Sequence, residues 1–215
     1  MKALVIGATG ATGRDITKLL LADSRFEEVH IFVRKAMVSY NAKLKVHIVN
    51  FDDIDSWGDK IVGDVLFSAM GTTLSDAGNK DAQWKVDYAY QYEVAKHARA
   101  NGVQTYALVS AMGATAKSRL FYPMMKGKLE EAVKDLKFKR TIIARPPSLI
   151  RENTTRMSEK LSLPILRFFN AIGLLKNMAP MTTEVVAKAM IEAVEGNQDK
   201  VVVLEPSDMR RGSRA

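Results

Sequence analysis

The sequence contains no cysteine among its 215 residues, which excludes disulfide bonds, thiol nucleophiles and thiolate metal ligands. No apolar stretch approaches the length of a membrane span, so we expect no membrane partner. Its three histidines, His30, His47 and His97, are too scattered to share a metal ion, and we expect no metal site. A strand is predicted to begin at the second residue, which leaves no room for a cleavable signal peptide. Together these absences predict a cytoplasmic protein.

The composition is that of an ordinary globular protein, with 47% hydrophobic and 26% charged residues. The length allows one α/β domain with a full core and is too short for a second of similar size. We therefore expect a single domain over residues 1–215.

Positive charge is concentrated in one part of the chain. The formal net charge is +8, and the segment from Lys117 to Arg145 contributes nine basic against three acidic residues. One interpretation is a solvated helix face; the other is a surface that attracts an anionic cofactor or substrate. No nucleic-acid recognition motif accompanies the charge, so we expect no nucleic-acid partner.

Strand-like and helix-like segments alternate along the chain. Strands are predicted at 2–6, 29–33, 45–49, 64–68, 105–110, 140–145 and 200–204. Helices are predicted at 11–22, 82–101, 122–137 and 182–195, with Asn101-Gly102 ending the second and Thr182 or Thr183 capping the last. Such alternation indicates a doubly wound α/β fold with a central parallel sheet. Only residues 146–180 break the pattern, and we interpret them as a small C-terminal substrate-side insertion or lid, or as plain core packing.

Three glycines at intervals of three follow the first strand and open the first helix. Gly7 allows a tight turn, Gly10 lets the backbone approach a pyrophosphate, and Gly13 lets the helix pack close to the strand. A purely structural turn is the alternative, but this strand–glycine–helix order predicts dinucleotide binding. The predicted cofactor-binding residues of this loop are Gly7, Thr9, Gly10, Ala11, Thr12 and Gly13.

The residue that ends the second strand predicts which dinucleotide is bound. An acidic residue there would bind the ribose 2′-hydroxyl of NAD, but this chain has Arg34-Lys35. A guanidinium suits the 2′-phosphate of NADP, so NADP(H) is predicted over NAD(H), unless Arg34 is only an exposed loop charge. Asp52 is a candidate for the adenine amino group or for a helix N-cap. Gly71, after the fourth strand, is expected beneath the ribose.

Tyr122 and Lys126 lie four residues apart at the start of a predicted helix, and Ser110 closes the fifth strand. Residues i and i+4 share one helical face, so the ammonium can lie beside the phenol and favour its ionised form. Tyr122 is then the predicted general acid, Lys126 reaches both the phenol and a ribose hydroxyl, and Ser110 polarises a substrate carbonyl. The three resemble the catalytic triad of the short-chain dehydrogenase/reductases.

The resemblance extends nearly end to end, to the atypical short-chain dehydrogenases of the Tat-interactive protein group. It rests on the glycine loop, Met70 to Thr73, Val86 to Tyr88, Leu108 to Ala114, Tyr122 to Glu130, Arg145 to Pro147 and Arg151 to Asn153. It implies an NADP(H)-binding Rossmann fold with a Ser-Tyr-Lys site and an undefined substrate. Asp87 departs from the pattern, because related enzymes often have asparagine there.

The sequence therefore predicts an NADPH-dependent oxidoreductase that reduces a small carbonyl compound. The alternative is an NADPH-sensing regulatory or scaffold protein that binds a protein partner. Homodimer formation is left open, because no decisive surface patch stands out.

Overall fold

The computed structural model describes residues 1–37, 40–150, 179–195 and 200–212. Seven strands form one sheet in which every neighbouring pair is parallel. They are β1 (Lys2–Ile6), β2 (Glu28–Val33), β3 (Leu44–Ile48), β4 (Val65–Ser68), β5 (Thr105–Val109), β6 (Arg140–Ala144) and β9 (Val201–Leu204). Two further strands, β7 (Leu149–Ile150) and β8 (Met181–Thr182), pair with each other. All seven predicted strands are present within one or two residues of their expected ends.

The strand order of the large sheet is β3-β2-β1-β4-β5-β6-β9. The direction of winding reverses between β1 and β4, and in such sheets the crevice at the carboxyl ends of the strands at this point binds ligands. The order and the parallel pairing confirm the predicted doubly wound Rossmann-like fold.

The helices are α1 (Ala11–Ala22), α2 (Leu74–Ala77), α3 (Lys80–Trp84), α4 (Tyr90–Ala100), α5 (Phe121–Asp135), α6 (Thr183–Glu192) and α7 (Pro206–Gly212). A π-helical turn, Lys85–Ala89, joins α3 to α4, so the helix predicted at 82–101 is present with a register change inside it. Short 3₁₀ turns occupy Ile54–Ser56, Gly58–Lys60 and Ala193–Glu195. No helix within the described ranges is both long and apolar enough to cross a membrane.

The strands are buried on both faces, as their nearly continuous apolar runs predict. In β1, Ala3 and Val5 face the core beneath α1 and α6, while Leu4 and Ile6 face the core beneath α4 and α5. All four side chains are fully buried. Helices therefore cover both faces of the sheet.

The predicted helix ends agree with the structure. The helix α4 ends at Ala100 with Asn101 as its C-cap, and Gly102 follows with a φ of +87°, a value that favours glycine. The N-cap of α6 is Thr182, whose side chain accepts a hydrogen bond from the Val185 amide at 3.4 Å. Of the predicted insertion at 146–180, residues 151–178 lie outside the described residues.

Candidate functional site

The glycine loop follows β1, and each of its glycines meets a different steric demand. Gly7 has a φ of +80°, and a Cβ there would lie 2.5 Å from the Ala69 carbonyl after β4. A Cβ on Gly13 would lie 2.1 Å from the Gly7 oxygen. A Cβ on Gly10 would meet only the Gly7 oxygen at 3.3 Å and the Ala69 oxygen at 4.0 Å. Gly7 and Gly13 are therefore required by the protein's own packing, whereas Gly10 keeps an open backbone face at the N-terminus of α1.

A cavity of about 220 Å³ opens beside this loop at the switch point of the sheet. Its walls come from the glycine loop and from the ends of β2, β3 and β4. They are formed by Gly7, Thr9, Gly10, Phe32, Val33, Arg34, Phe51, Ala69, Met70, Gly71, Val86 and Tyr90. An adenosine fits this combination of backbone, aromatic and small residues.

Arg34 and Lys35 follow β2, and both are exposed. Arg34 lines the cavity, whereas Lys35 does not. Within the part of the chain that the structure describes, the Arg34 guanidinium has no hydrogen bond or ion pair. An arginine of this kind presents a planar set of donors to an incoming anion. The start of α1 and this guanidinium therefore both adjoin the cavity and favour a ligand with negative charge.

Asp52 lies beside the cavity and already has two partners. Its carboxylate is 2.6 Å from the Lys85 ammonium and accepts a hydrogen bond from the Tyr90 hydroxyl. The bond to Lys85 is the main reason that the pKa of Asp52 is lowered. The 3₁₀ turn that begins at Ile54 has no side-chain cap, so Asp52 is not an N-cap. Its carboxylate instead holds Tyr90 at the cavity wall.

Ser110 is buried, and its hydroxyl is directed into a charged network. It donates to Glu130 Oε1 at 2.5 Å. Glu130 is only 2% exposed and accepts two further bonds from Arg145, at 3.0 and 2.6 Å. These bonds to Glu130 raise the pKa of Arg145 above its usual value. Ser110 therefore connects the end of β5 to α5 and β6, and its hydroxyl proton is already donated to the Glu130 carboxylate.

Tyr122 and Lys126 share one face of α5. The Lys126 Nζ lies 5.9 Å from the centre of the Tyr122 ring. Tyr122 is 39% exposed, and its hydroxyl has no hydrogen bond to a described residue. Lys126 is buried, because Gly127 allows α5 to approach the chain after β5: a Cβ there would lie 2.1 Å from the Thr115 carbonyl carbon. The phenol is thus open to a ligand while the lysine is fixed beneath it.

The partner of Lys126 is Asp87, which lies in the π-helical turn and is fully buried. Asp87 Oδ1 is 3.3 Å from the Lys126 Nζ and has no hydrogen bond among the described groups. Asp87 Oδ2 accepts the Thr72 amide at 2.8 Å. Gly71 lies alongside, since its Cβ would be 3.5 Å from Oδ1. The buried pair therefore connects α5 to the end of the cavity at Gly71.

The π-helical turn is fixed by its own polar contacts. Gln91 donates to the Asp87 carbonyl at 2.8 Å and accepts from the Ser68 hydroxyl at 2.7 Å. Turns of this kind are rare and are frequent at functional sites, because they redirect side chains within a continuous helix. Here the turn places Asp87 toward Lys126 and Val86 toward the cavity.

The structure thus groups the predicted site residues into three sets. One cavity is lined by Arg34, Gly71 and the first part of the loop (Gly7, Thr9 and Gly10), with Asp52 bonded to its wall residue Tyr90. The cavity is not lined by Ala11, Thr12, Gly13 or Lys35. Tyr122 and Lys126 adjoin each other on α5, while Ser110 is bonded to Glu130. Sequence reasoning missed the pair of Glu130 and Arg145, because the two residues lie 15 positions apart and on different elements. No three potential metal ligands come together within the described ranges.

The predicted basic segment from Lys117 to Arg145 is partly an internal feature. Lys126 and Arg145 are paired with the buried carboxylates of Asp87 and Glu130. The charge excess therefore overstates how much positive surface this segment presents.

Comparison with known proteins assigns a family. A family model described as NAD(P)H-binding matches residues 7–161. Protein FMP52-1, mitochondrial, from Scheffersomyces stipitis is 34% identical over 207 residues, which cover 93% of this chain and 91% of that protein. Protein FMP52, mitochondrial, from Debaryomyces hansenii is 39% identical over 155 residues, or 70% of this chain and 67% of that protein.

Solved structures share the fold at low sequence identity. MoeE5 in complex with UDP-glucuronic acid and NAD superposes with a TM-score of 0.71 at 12% identity, covering 95% of this chain and 75% of that chain. The ADP-L-glycero-D-manno-heptose-6-epimerase of Helicobacter pylori gives 0.69 at 15% identity, covering 95% and 76%. At these identities the likeness shows the fold alone.

The predicted cytoplasmic location is wrong, because several relatives are named as mitochondrial proteins. The physical reason for the error is simple. An absence of cysteine removes disulfide chemistry, but it does not distinguish one reducing compartment from another. A secretory signal is also only one of several kinds of targeting signal.

The geometry and the comparisons agree on the coarse assignment. The loop that opens α1 has the form of a dinucleotide-binding turn, the matched family model covers most of the chain, and the sheet superposes on NAD-binding enzymes. The chain therefore belongs to the NAD(P)H-binding family and has a Rossmann-like fold.

Proposed function

We propose that this protein is an NADPH-dependent oxidoreductase that reduces a small carbonyl compound. The observation that carries the proposal is the buried Lys126, held between Asp87 and the ring of Tyr122. A lysine that is 2% exposed requires a counter-charge, and this one has it directly beneath an accessible phenol. Such an arrangement suits proton transfer to a bound substrate.

The preference for NADPH over NADH rests on Arg34. Its guanidinium lines the cavity and has no partner among the described residues, so it is available to the 2′-phosphate. The backbone of Gly10 and the first turn of α1 would hold the pyrophosphate. Phe51 and Tyr90 would enclose the adenine, and Gly71 would lie beneath the ribose next to Lys126.

A bound nicotinamide supplies the hydride, and the chain supplies orientation and a proton. Tyr122 donates its hydroxyl proton to the carbonyl oxygen as that oxygen gains negative charge. Lys126 stabilises the phenolate that forms, because its ammonium lies on the same face of α5. Asp87 fixes the position of that ammonium through the contact at 3.3 Å.

The role of Ser110 in this proposal differs from the role that the sequence predicts. Its proton is donated to Glu130, so it can donate to a substrate carbonyl only by giving up that bond. We therefore assign proton donation to Tyr122 and give Ser110 a positioning role at the end of β5.

The test is substitution of Tyr122→Phe. We expect turnover of an NADPH-coupled panel of small aldehydes, ketones and quinones to fall at least 100-fold, since general acid catalysis contributes roughly this much. The dissociation constant for NADPH should stay within about twofold of the original value, because the phenol lies away from the cavity that Arg34 lines. Tyr40→Phe is the matched control, as Tyr40 is 97% exposed. Undiminished turnover by Tyr122→Phe would contradict the proposal.

A second candidate is an NADPH-sensing protein that binds a partner. The commitment of Ser110 to Glu130 favours it, because one member of the expected triad is then bonded internally. This candidate predicts that Tyr122→Phe leaves the biological activity intact while Arg34→Ala removes it. An NADPH-dependent interaction in a pull-down with the purified protein as bait would separate it from the enzyme.

We further propose that this chain, like its named relatives, resides in mitochondria. The relatives that span more than nine-tenths of the chain bear that description in their names. Fractionation of cells expressing the tagged protein tests it, and recovery in the cytosolic fraction alone would contradict it.

A further inference from the structure

A second cavity lies along α1, away from the dinucleotide site. Its volume is about 450 Å³, which falls within the usual range of small-molecule pockets. The walls are mostly apolar and are built by α1, β2 and β3, with Ile31 and Leu44 at the sheet and Leu21 on the helix. We call it the α1 groove.

The groove exists because this side of the sheet is incompletely covered. The strand β3 is the edge of the sheet, and in the described part of the connection between β2 and β3 there is no helix. The side chain of Leu44 in β3 is consequently only partly buried, and Met37 is 41% exposed. Apolar surface is thus left beside α1 where a helix would otherwise pack.

Two cations stand at the mouth of the groove. Arg14 and Lys18 are four residues apart, so they share one face of α1, and both line the groove. Both are exposed, and neither forms an ion pair or hydrogen bond through its side chain with any residue in the described ranges. An apolar trough with two unpaired cations at its rim is complementary to an amphiphile with an anionic head.

The α1 groove is separate from the dinucleotide site. No residue lines both cavities. In β2, the buried Ile31 faces the groove side of the sheet and Phe32 faces the other core. A ligand in the groove would therefore leave the dinucleotide cavity open.

We propose that the α1 groove binds a medium-chain fatty acid, with the acyl chain against Leu21, Met37 and Leu44 and the carboxylate between Arg14 and Lys18. The lining is mostly apolar, with Thr17 and Asn41 as its uncharged polar residues, and this composition suits a methylene chain better than a sugar or a nucleotide. A single carboxylate matches two cations that are neighbours on one helix face.

The experiment is calorimetric titration of the purified protein with hexanoate, octanoate and decanoate, each below its micelle-forming concentration. We expect saturable one-to-one binding that tightens about twofold to fourfold per added methylene, because each buried methylene contributes apolar transfer energy. Decanol, which lacks the charge, should bind at least tenfold more weakly than decanoate.

Two variants locate the ligand. Arg14→Gln combined with Lys18→Gln should weaken decanoate binding roughly tenfold or more and leave decanol unchanged. Lys60→Gln combined with Lys139→Gln removes the same charge from exposed positions outside the groove and should change neither. Ala22→Trp places a bulky ring at the groove wall and should weaken both ligands. NADPH binding should be unchanged in all three proteins, which also verifies folding.

Several outcomes would overturn the proposal. Absence of saturable decanoate binding, or equal binding by the wild type and the Ala22→Trp variant, would do so. Binding of phosphatidylglycerol vesicles through Arg14 and Lys18 without binding of monomeric decanoate would identify a membrane surface instead. Loss of a dimer in Ala22→Trp, again without decanoate binding, would identify an interface between two copies.

Discussion

The two halves of the site differ in how their charges are partnered. In the first half, built on β1 to β4, the Arg34 guanidinium has no partner among the described residues, and the Cα of Gly10 leaves space beside the cavity. In the second half, built on β5, α5 and β6, Lys126 is paired with Asp87 and Arg145 with Glu130. The first half is preorganised for an anion, and the second is held rigid by internal ion pairs.

This difference explains why the two halves respond differently to substitution. Removing an unpartnered group from the first half costs little stability and affects binding. Removing one member of a buried pair from the second half leaves the other charge uncompensated in a low dielectric. Substitutions in the first half should therefore change cofactor binding, and substitutions in the second half should change the free energy of unfolding.

The largest effect is expected at the Asp87–Lys126 pair. Asp87→Asn and Lys126→Met should each lower the free energy of unfolding by about 3–5 kcal/mol, since each leaves one buried charge unpaired. The double variant should recover most of the loss, because no isolated charge remains. Urea denaturation measures all three. Additive losses in the double variant would show that the two residues do not interact.

A smaller effect is expected at the glycine loop, where substitution of Gly10 and of Gly13 should have different consequences. Gly10→Ala should fold with less than about 1 kcal/mol of destabilisation but bind NADPH at least tenfold more weakly, because the new methyl group occupies the phosphate-facing side. Gly13→Ala should destabilise the fold itself, since its Cβ would lie 2.1 Å from the Gly7 oxygen. Thermal unfolding and NADPH titration of both variants test the distinction, and unaltered NADPH binding by Gly10→Ala would contradict it.

The smallest effect is a pH dependence at the edge of the sheet. His30 Nδ1 lies 2.8 Å from His47 Nε2, and desolvation lowers the pKa of both rings. The unfolded chain therefore binds more protons, and stability should fall as the pH drops below about 6.5, where free histidine titrates. Protonation of both rings removes the hydrogen bond between them, for which we expect a loss on the order of 1 kcal/mol.

Urea denaturation between pH 7.5 and 5.5 measures this loss. His47→Gln should flatten the slope, whereas His97→Gln, which removes a histidine bonded to Asp55, should retain it. A slope unchanged by His47→Gln would assign the effect to other groups.

The sequence predicts the scaffold well because its signals are local. Apolar runs, the three glycines and Asn101-Gly102 set the strands, the first turn and a helix end, and each depends on a few neighbouring residues. The same holds for Tyr122 and Lys126, whose proximity follows from i,i+4 spacing alone.

The rest depends on contacts between distant parts of the chain. Asp87 reaches Lys126 across 39 positions of sequence, through a π-helical turn that no periodicity shows. The position of Ser110 after β5 predicts a hydroxyl that faces a substrate, but in the structure this hydroxyl donates to Glu130. Local sequence patterns predict which helix or strand carries a side chain. The hydrogen-bond partner of that side chain depends on which other helices and strands pack against it.

The most direct test of the proposed function is titration of the purified protein with NADPH and with NADH, followed by nicotinamide fluorescence, alongside the Arg34→Ala variant. We expect NADPH to bind roughly 10-fold to 100-fold more tightly than NADH, the range expected for charge-assisted bonds to a phosphate. Arg34→Ala should remove that preference and leave NADH binding unchanged. Equal affinity for the two dinucleotides, or a preference that survives in Arg34→Ala, would contradict the assignment of Arg34.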